Sequence, residues 1–170
     1  SIIQPIIKLP DNAVKVIVQG ISRGRMVEYI SSHSLLQAKI EESNCYGYEE
    51  DNVELEALKR SIINAYNDWN KLSKKSQPEA AIHSIDHIED PGQLADTIAS
   101  YLNVKASDKQ SVLEAYSLKQ RLEKIFTLIE KEISISNAQN HLYKTIKTQV
   151  ESSQKVYYLN EQLKAIQKEL

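Results

Sequence analysis

Apolar positions along this chain fall into two regimes. To about Ile40 they alternate or cluster in short β-branched runs, Ile2 to Leu9, Val14 to Gln19, Arg25 to Ile30 and Leu35 to Ile40, a pattern that predicts four strands. Turn-forming residues separate them: Pro10-Asp11-Asn12, Gly20 to Gly24, and Ser31-Ser32-His33-Ser34. Four short strands make a poor core by themselves and leave some edges open. Cys45 to Glu50, with Tyr46-Gly47-Tyr48, reads as a linker out of this β portion, residues 1–45.

From Asp51 onward the apolar period lengthens and the chain reads as helix. Capping-box-like pairs mark the starts: Asp51/Glu54, Ser76/Glu79, Asp90/Gln93, Ser107/Gln110 and Ser117/Gln120. In each, a short oxygen-bearing side chain can accept from an orphan backbone N–H while the residue three later reaches back. Pro78 and Pro91 sit in first turns, where a missing N–H does no harm. The helices so punctuated are expected over 52–73, 77–87, 91–102, 108–115 and 118–133. One bundle, residues 46–137, is expected from their apolar faces: Leu55, Leu58, Ile62, Tyr66, Trp69 and Leu72; Leu94, Ile98 and Leu102; Leu118, Leu122, Ile125, Phe126, Ile129 and Ile133.

A break is expected near Ser134-Ile135-Ser136-Asn137, followed by a last helix over 138–170 that would run ~50 Å at 1.5 Å per residue. Its centre, Lys147 to Lys155, offers only Val150 as a strongly apolar side chain, so it reads as a strut with a solvated middle. The far end turns apolar again. Leu159, Leu163, Ile166 and Leu170 recur in a 4-3-4 rhythm and no Gly or Pro stop follows, which reads as a piece cut from something longer; an opening Ser1 in place of Met fits an internal fragment.

That closing run, Tyr157-Tyr158-Leu159-Asn160-Glu161-Gln162-Leu163-Lys164-Ala165-Ile166-Gln167-Lys168-Glu169-Leu170, is very similar to a segment of the Lon family of ATP-dependent proteases. Three further stretches resemble the family in the right order: Val14-Lys15-Val16-Ile17-Val18-Gln19-Gly20, Asp90-Pro91-Gly92-Gln93-Leu94-Ala95-Asp96-Thr97-Ile98-Ala99, and Asp108-Lys109-Gln110-Ser111-Val112-Leu113-Glu114. The likeness covers nearly the whole chain, most loosely between Ile30 and Ala80. Lys155-Val156 departs from it, since the family usually has Arg-Glu there. The resemblance implies that the β portion is the C-terminal part of a larger subdomain, so its sheet is expected to be incomplete. It also implies that 138–170 leads to an ATPase domain absent from this stretch.

Composition narrows the function. A formal charge of -2, from 21 Lys and Arg against 23 Asp and Glu, argues against a module driven by phosphate neutralisation. No apolar run approaches the ~20 residues of a membrane span, and no signal peptide is present. The lone Cys45 excludes an internal disulfide and suits a reducing compartment, so a cytoplasmic location is expected.

Candidate chemistry is thin. The four glycines, Gly20, Gly24, Gly47 and Gly92, form no phosphate cradle, and none precedes a Lys-Ser or Lys-Thr pair. Ser152-Ser153-Gln154-Lys155 matches an S-x-x-K pattern without its companion motifs. His83 and His87 have a zinc-compatible spacing, with Asp86, Glu89 and Asp90 nearby, yet surface or capping histidines explain them as well. Arg23-Gly24-Arg25 could meet a phosphate, but two bases at a turn read as solvated charge. Lys144, Lys147, Lys155, Lys164 and Lys168 against Glu151, Glu161 and Glu169 make a slight basic excess on the last helix, weak as a nucleic-acid signal.

The strongest feature is the helix end: Tyr157, Leu159, Leu163, Ile166 and Leu170, with Tyr158 alongside, set large apolar surface where this chain offers no partner. Coiled-coil packing between subunits, docking on an ATPase domain, contact with unfolded polypeptide, or membership of another domain's core would each cover it. The expected fold class is α+β, mostly α. The resemblance implies a non-catalytic region, without metal or cofactor of its own, that engages unfolded or damaged proteins, supports a homo-hexamer and delivers substrates to an ATP- and Mg-dependent ring with a Ser–Lys protease site. A purely architectural strut and a DNA-binding adaptor stand as alternatives. No membrane partner is expected.

Overall fold

A computed structural model describes residues 2–3, 7–8, 10, 13–31, 35–47, 53–73 and 85–169. The fold is α+β and mostly α, as the sequence pattern predicts. Among the described residues, six strands, β1 (Ile2–Ile3), β2 (Ile7–Lys8), β3 (Val14–Lys15), β4 (Val18–Gln19), β5 (Gly24–Ser31) and β6 (Leu36–Glu42), precede four fully described helices, α1 (Val53–Leu72), α2 (Pro91–Tyr101), α3 (Ala106–Leu113) and α4 (Leu118–Glu169).

The strands pair antiparallel in twos: β1 with β4, β2 with β3, and β5 with β6. The last pair is the longest. It runs in register from Gly24 opposite Glu42 to Ser31 opposite Leu36, with an irregularity between Met26 and Glu28. Met26, Tyr29, Leu36 and Ile40 stay exposed, so this ribbon contributes nothing to the core.

Among the described residues, the core lies in the helices and the short stretches beside them. Ile62 and Tyr66 of α1, Leu94 and Ile98 of α2, Val112 of α3, and Leu118, Leu122, Ile125 and Ile129 of α4 are buried together, with Ile85 and Leu102 from the connections. Each such side chain contributes about 1.5–3 kcal/mol on removal from water. The expected faces are those that pack, with Leu58, Leu72, Phe126 and Ile133 at the margin. Tyr66 and Trp69 bring their ring centroids to 5.5 Å with planes tilted 43°, an ordinary aromatic core contact.

Two helix starts show how local chemistry sets the boundaries. Asp90 caps α2: its Oδ1 accepts from the Gly92 N–H at 2.8 Å, and Pro91 occupies the first turn. Ser107 does not cap α3. That helix opens two residues early, after an extended Lys105 with no side-chain cap, and the Lys105 carbonyl accepts from both Asp108 and Lys109. The helix expected over 77–87 lies largely outside the described residues, as do Asp51, Ser76, Pro78 and Glu79.

The expected break at Ser134-Ile135-Ser136-Asn137 is absent. A single 52-residue helix runs from Leu118 to Glu169. The segment holds no Gly or Pro, and the Ser134 hydroxyl donates to the Glu130 carbonyl at 2.9 Å, so it follows the helix instead of competing with it. Thr145 and Thr148 bond back four residues in the same way. Burial, not backbone, changes along α4: Ile129 is buried, Ile133 half-buried, and every described residue from His141 onward is exposed.

Candidate functional site

Beyond the bundle, α4 carries the apolar residues singled out by the sequence. Tyr157, Tyr158, Leu159, Leu163 and Ile166 are 70%, 63%, 49%, 55% and 58% exposed, and no other described element covers them. Leu170 lies outside the described residues. At 3.6 residues per turn, Leu159, Leu163 and Ile166 share one stripe with Val156, a residue the sequence reading passed over. Tyr157 falls nearly opposite that stripe. Tyr158 lies on its flank, where its hydroxyl accepts from Gln162 Nε2 at 3.0 Å. Leu142, Ile146 and Val150, all exposed, form a second apolar line nearer the bundle.

A second constellation was not legible as such. Arg23, expected as solvated charge, is 15% exposed in its side chain. Its Nη2 donates to Asp96 Oδ1 at 2.6 Å, its Nε to the Leu113 carbonyl at 3.1 Å, and Nη1 lies 4.0 Å from Cys45 Sγ. Arg25 does stay in solvent, 3.3 Å from Glu41. From α4, Arg121 reaches the same place almost fully buried. Its Nε and Nη2 both donate to the Ala115 carbonyl, at 3.1 and 3.0 Å, Nη2 donates to Cys45 Sγ at 2.8 Å, and Nη1 lies 3.9 Å from Asp96 Oδ2.

The electrostatics follow from the backbone. Leu113 ends α3, so its carbonyl belongs to the partially negative end of a helix, and the Ala115 carbonyl follows two residues beyond it. Two guanidiniums and Lys124, whose Nζ donates to the Ser111 carbonyl at 2.9 Å, meet that end. Burial works against the Arg23 charge. The hydrogen bond and charge of Asp96, with a contribution from Cys45, outweigh it and hold the guanidinium above its ordinary value. Beside this cluster opens a cavity of about 690 Å³ lined by Ile21, Arg23, Cys45, Asp96, Lys109 and Leu113 among others.

The supposed linker is part of this joint. Tyr46 pairs in parallel with Ser117: its N–H donates to the Tyr116 carbonyl at 3.1 Å and its carbonyl accepts from the Leu118 N–H at 3.0 Å. Gly47 then turns the chain with φ of 91°, a conformation that favours glycine.

The remaining candidates stay apart. Ser152 and Lys155 lie exposed on α4, away from any buried base that would activate a nucleophile. His87 occupies a turn, His83 lies outside the described residues, and no group of three metal-ligating side chains converges among the described residues. No described helix is long and apolar enough to cross a membrane.

The sequence profile of the ATP-dependent protease La (LON) substrate-binding domain covers residues 1–131. The chain is 64% identical to the Lon protease of Wolbachia pipientis subsp. Culex pipiens (strain wPip) over its whole length. It is 45% identical to that of Azorhizobium caulinodans over 97% of its length, and 39% identical to that of Heliobacterium modesticaldum over 99%. It spans only 21%, 19% and 20% of those three relatives. With 131 of its 170 residues matched by that profile and such identities throughout, the chain belongs to the Lon protease family and carries its substrate-binding domain.

Proposed function

We propose that this chain is a non-catalytic capture region that engages unfolded or damaged polypeptides through apolar contact and passes them toward an ATP- and Mg-dependent Lon ring in the cytoplasm. The observation that carries this reading is the stripe Val156, Leu159, Leu163 and Ile166, four large side chains held open to solvent on a rigid helix. Such a surface suits exposed apolar segments of an unfolded chain and gives a folded protein little to hold. No covalent or metal-assisted step is involved, and α4 holds the capture surface away from the bundle. The chain spans about a fifth of the length of the relatives it matches, and on this reading the ATPase and the Ser–Lys protease site belong to other parts of such a protein.

A second reading is architectural. The uninterrupted α4 is about 78 Å long at 1.5 Å per residue, and the 4-3 spacing of Leu159, Leu163 and Ile166 suits a helix of a sister subunit, so the stripe would serve hexamer assembly. Titration with an unfolded, apolar-rich polypeptide, followed by residue-resolved NMR, separates the two. Shifts along Val156 to Ile166, lost in Leu163→Asp and absent with the folded form of the same polypeptide, support capture. Lack of any shift at high polypeptide concentration, with self-association that Leu163→Asp abolishes, leaves the strut. Binding that collapses with added salt and requires the lysines of α4 would instead point to a nucleic-acid adaptor.

A further inference from the structure

Among the described residues, the β portion is held on the helical bundle without apolar packing: none of those before Val53 belongs to the buried core. Most of its ties converge on the short stretch between α3 and α4. Tyr46 shares two backbone hydrogen bonds with Tyr116 and Leu118, Arg23 reaches the Leu113 carbonyl, and Cys45 receives the Arg121 guanidinium that also holds Ala115. Contacts gathered along one line make a hinge and leave the angle about it undetermined. One strong contact lies off that line, the 2.6 Å hydrogen bond from Arg23 to Asp96 on α2. The cavity of about 690 Å³ between the β portion and α2–α3 shows that no side chains fill the angle, and Asp96 is 44% exposed, open to competing water and ions.

We propose that Asp96 is a releasable latch: with Arg23 bound it fixes the angle between the β portion and the helical bundle, and without it the β portion swings about Tyr46. Arg121 belongs to the pivot and not to the latch: its bonds to Ala115 stay within the helices, and its bond to Cys45 crosses next to Tyr46.

Residual dipolar couplings on the whole 170-residue chain test this. In the native protein a single alignment frame fits both the β5–β6 ribbon and the helices. In Asp96→Asn and in Arg23→Ala the helical couplings stay as they were, while those of the ribbon shrink and require their own frame. Arg25→Ala, which removes an exposed pair on the ribbon itself, behaves as native. Unchanged amide shifts across Met26 and Ile40 verify that the ribbon remains formed. A single frame with unchanged orientation in both latch variants overturns the proposal, as does a native protein whose two parts already align independently.

Discussion

Arg121 and Ala115, six residues apart around the α3–α4 turn, are joined by two hydrogen bonds of 3.1 and 3.0 Å to one carbonyl oxygen, deep enough that the arginine side chain is only 1% exposed. The planar guanidinium does this while also donating to Cys45 and facing Asp96. Replacing it leaves the buried Ala115 carbonyl without these two donors and weakens the neutralisation of Asp96. Arg121→Met is expected to cost about 2–4 kcal/mol of stability. Arg121→Lys recovers little of it, because a point ammonium cannot reproduce the fork. Urea unfolding with unchanged slope measures both; a loss below about 0.5 kcal/mol in either variant contradicts the role given to the fork.

Tyr66 presents the opposite situation. Its ring is fully buried in the core, yet its hydroxyl has no hydrogen-bond partner among the described residues. Burial, with a smaller contribution from the charge of Tyr101, pushes its pKa up to about 12 from 10.0. A raised pKa on an acid means that the folded state holds its proton more tightly than the unfolded state. The associated stability is complete below pH 10 and is lost as pH rises toward 12, by about 2–3 kcal/mol in all. Tyr66→Phe is expected to leave stability unchanged or raise it by about 1 kcal/mol at pH 7, since an orphaned polar group is removed. It also flattens the alkaline limb of the stability curve. Thermal unfolding of both proteins between pH 8 and 12 provides the comparison, and an identical alkaline slope rules the linkage out.

Much of the fold was legible because helices advertise both faces and ends. Leu94, Ile98 and Leu102 gave a stripe, and Asp90-Pro91 gave its start; all five behave in the structure as their chemistry requires. The failures have equally local causes. Ser134 looked like a stop because serine favours caps, but a serine that bonds back to residue i−4 is compatible with continued helix. Arg121 carried a usable signal that went unread: it sits three residues after Leu118 and four before Ile125, on the buried stripe of an amphipathic helix, where a charge demands a partner. Arg23 carried none, since its partners Asp96 and Leu113 lie 73 and 90 residues away. The apolar helix end was visible as composition, while the separation of Tyr157 from the Val156–Leu159–Leu163–Ile166 stripe needed the helix to be continuous.

Gly24 is constrained by space, with no positive φ involved. A Cβ there would meet Ile40 Cγ2 at 2.5 Å and the Glu41 carbonyl oxygen at 3.3 Å across the ribbon. Gly24→Ala is therefore expected to cost about 1–3 kcal/mol and to loosen the open end of the β5–β6 pair beside Arg23. Amide exchange at Ser43 and Arg25 reads the loosening directly. Partial rescue by the exposed Ile40→Ala identifies the side-chain clash; full retention of protection in Gly24→Ala alone excludes it.

Leu122 and Leu163 lie on one helix, chemically identical and in opposite surroundings: the first is fully buried against α1 and α2, the second 55% exposed. Truncating Leu122 removes packed methyl groups and leaves a cavity, so Leu122→Ala is expected to cost about 2–5 kcal/mol. Leu163→Ala removes contacts that the fold never made. Its expected effect on stability is within about 0.5 kcal/mol. If the exposed stripe exists to be covered by another polypeptide, the ranking reverses for binding: Leu163→Ala weakens affinity for an unfolded, apolar-rich chain several-fold, while Leu122→Ala leaves it unchanged wherever the bundle is still folded. Denaturant unfolding and binding titration on the same two variants give the four numbers needed. A Leu163→Ala protein that loses stability would mean that the end of α4 folds back on the chain in solution. One that keeps both stability and affinity would remove Leu163 from the capture surface and shift attention to Leu142, Ile146 and Val150, the second exposed apolar line on the same helix.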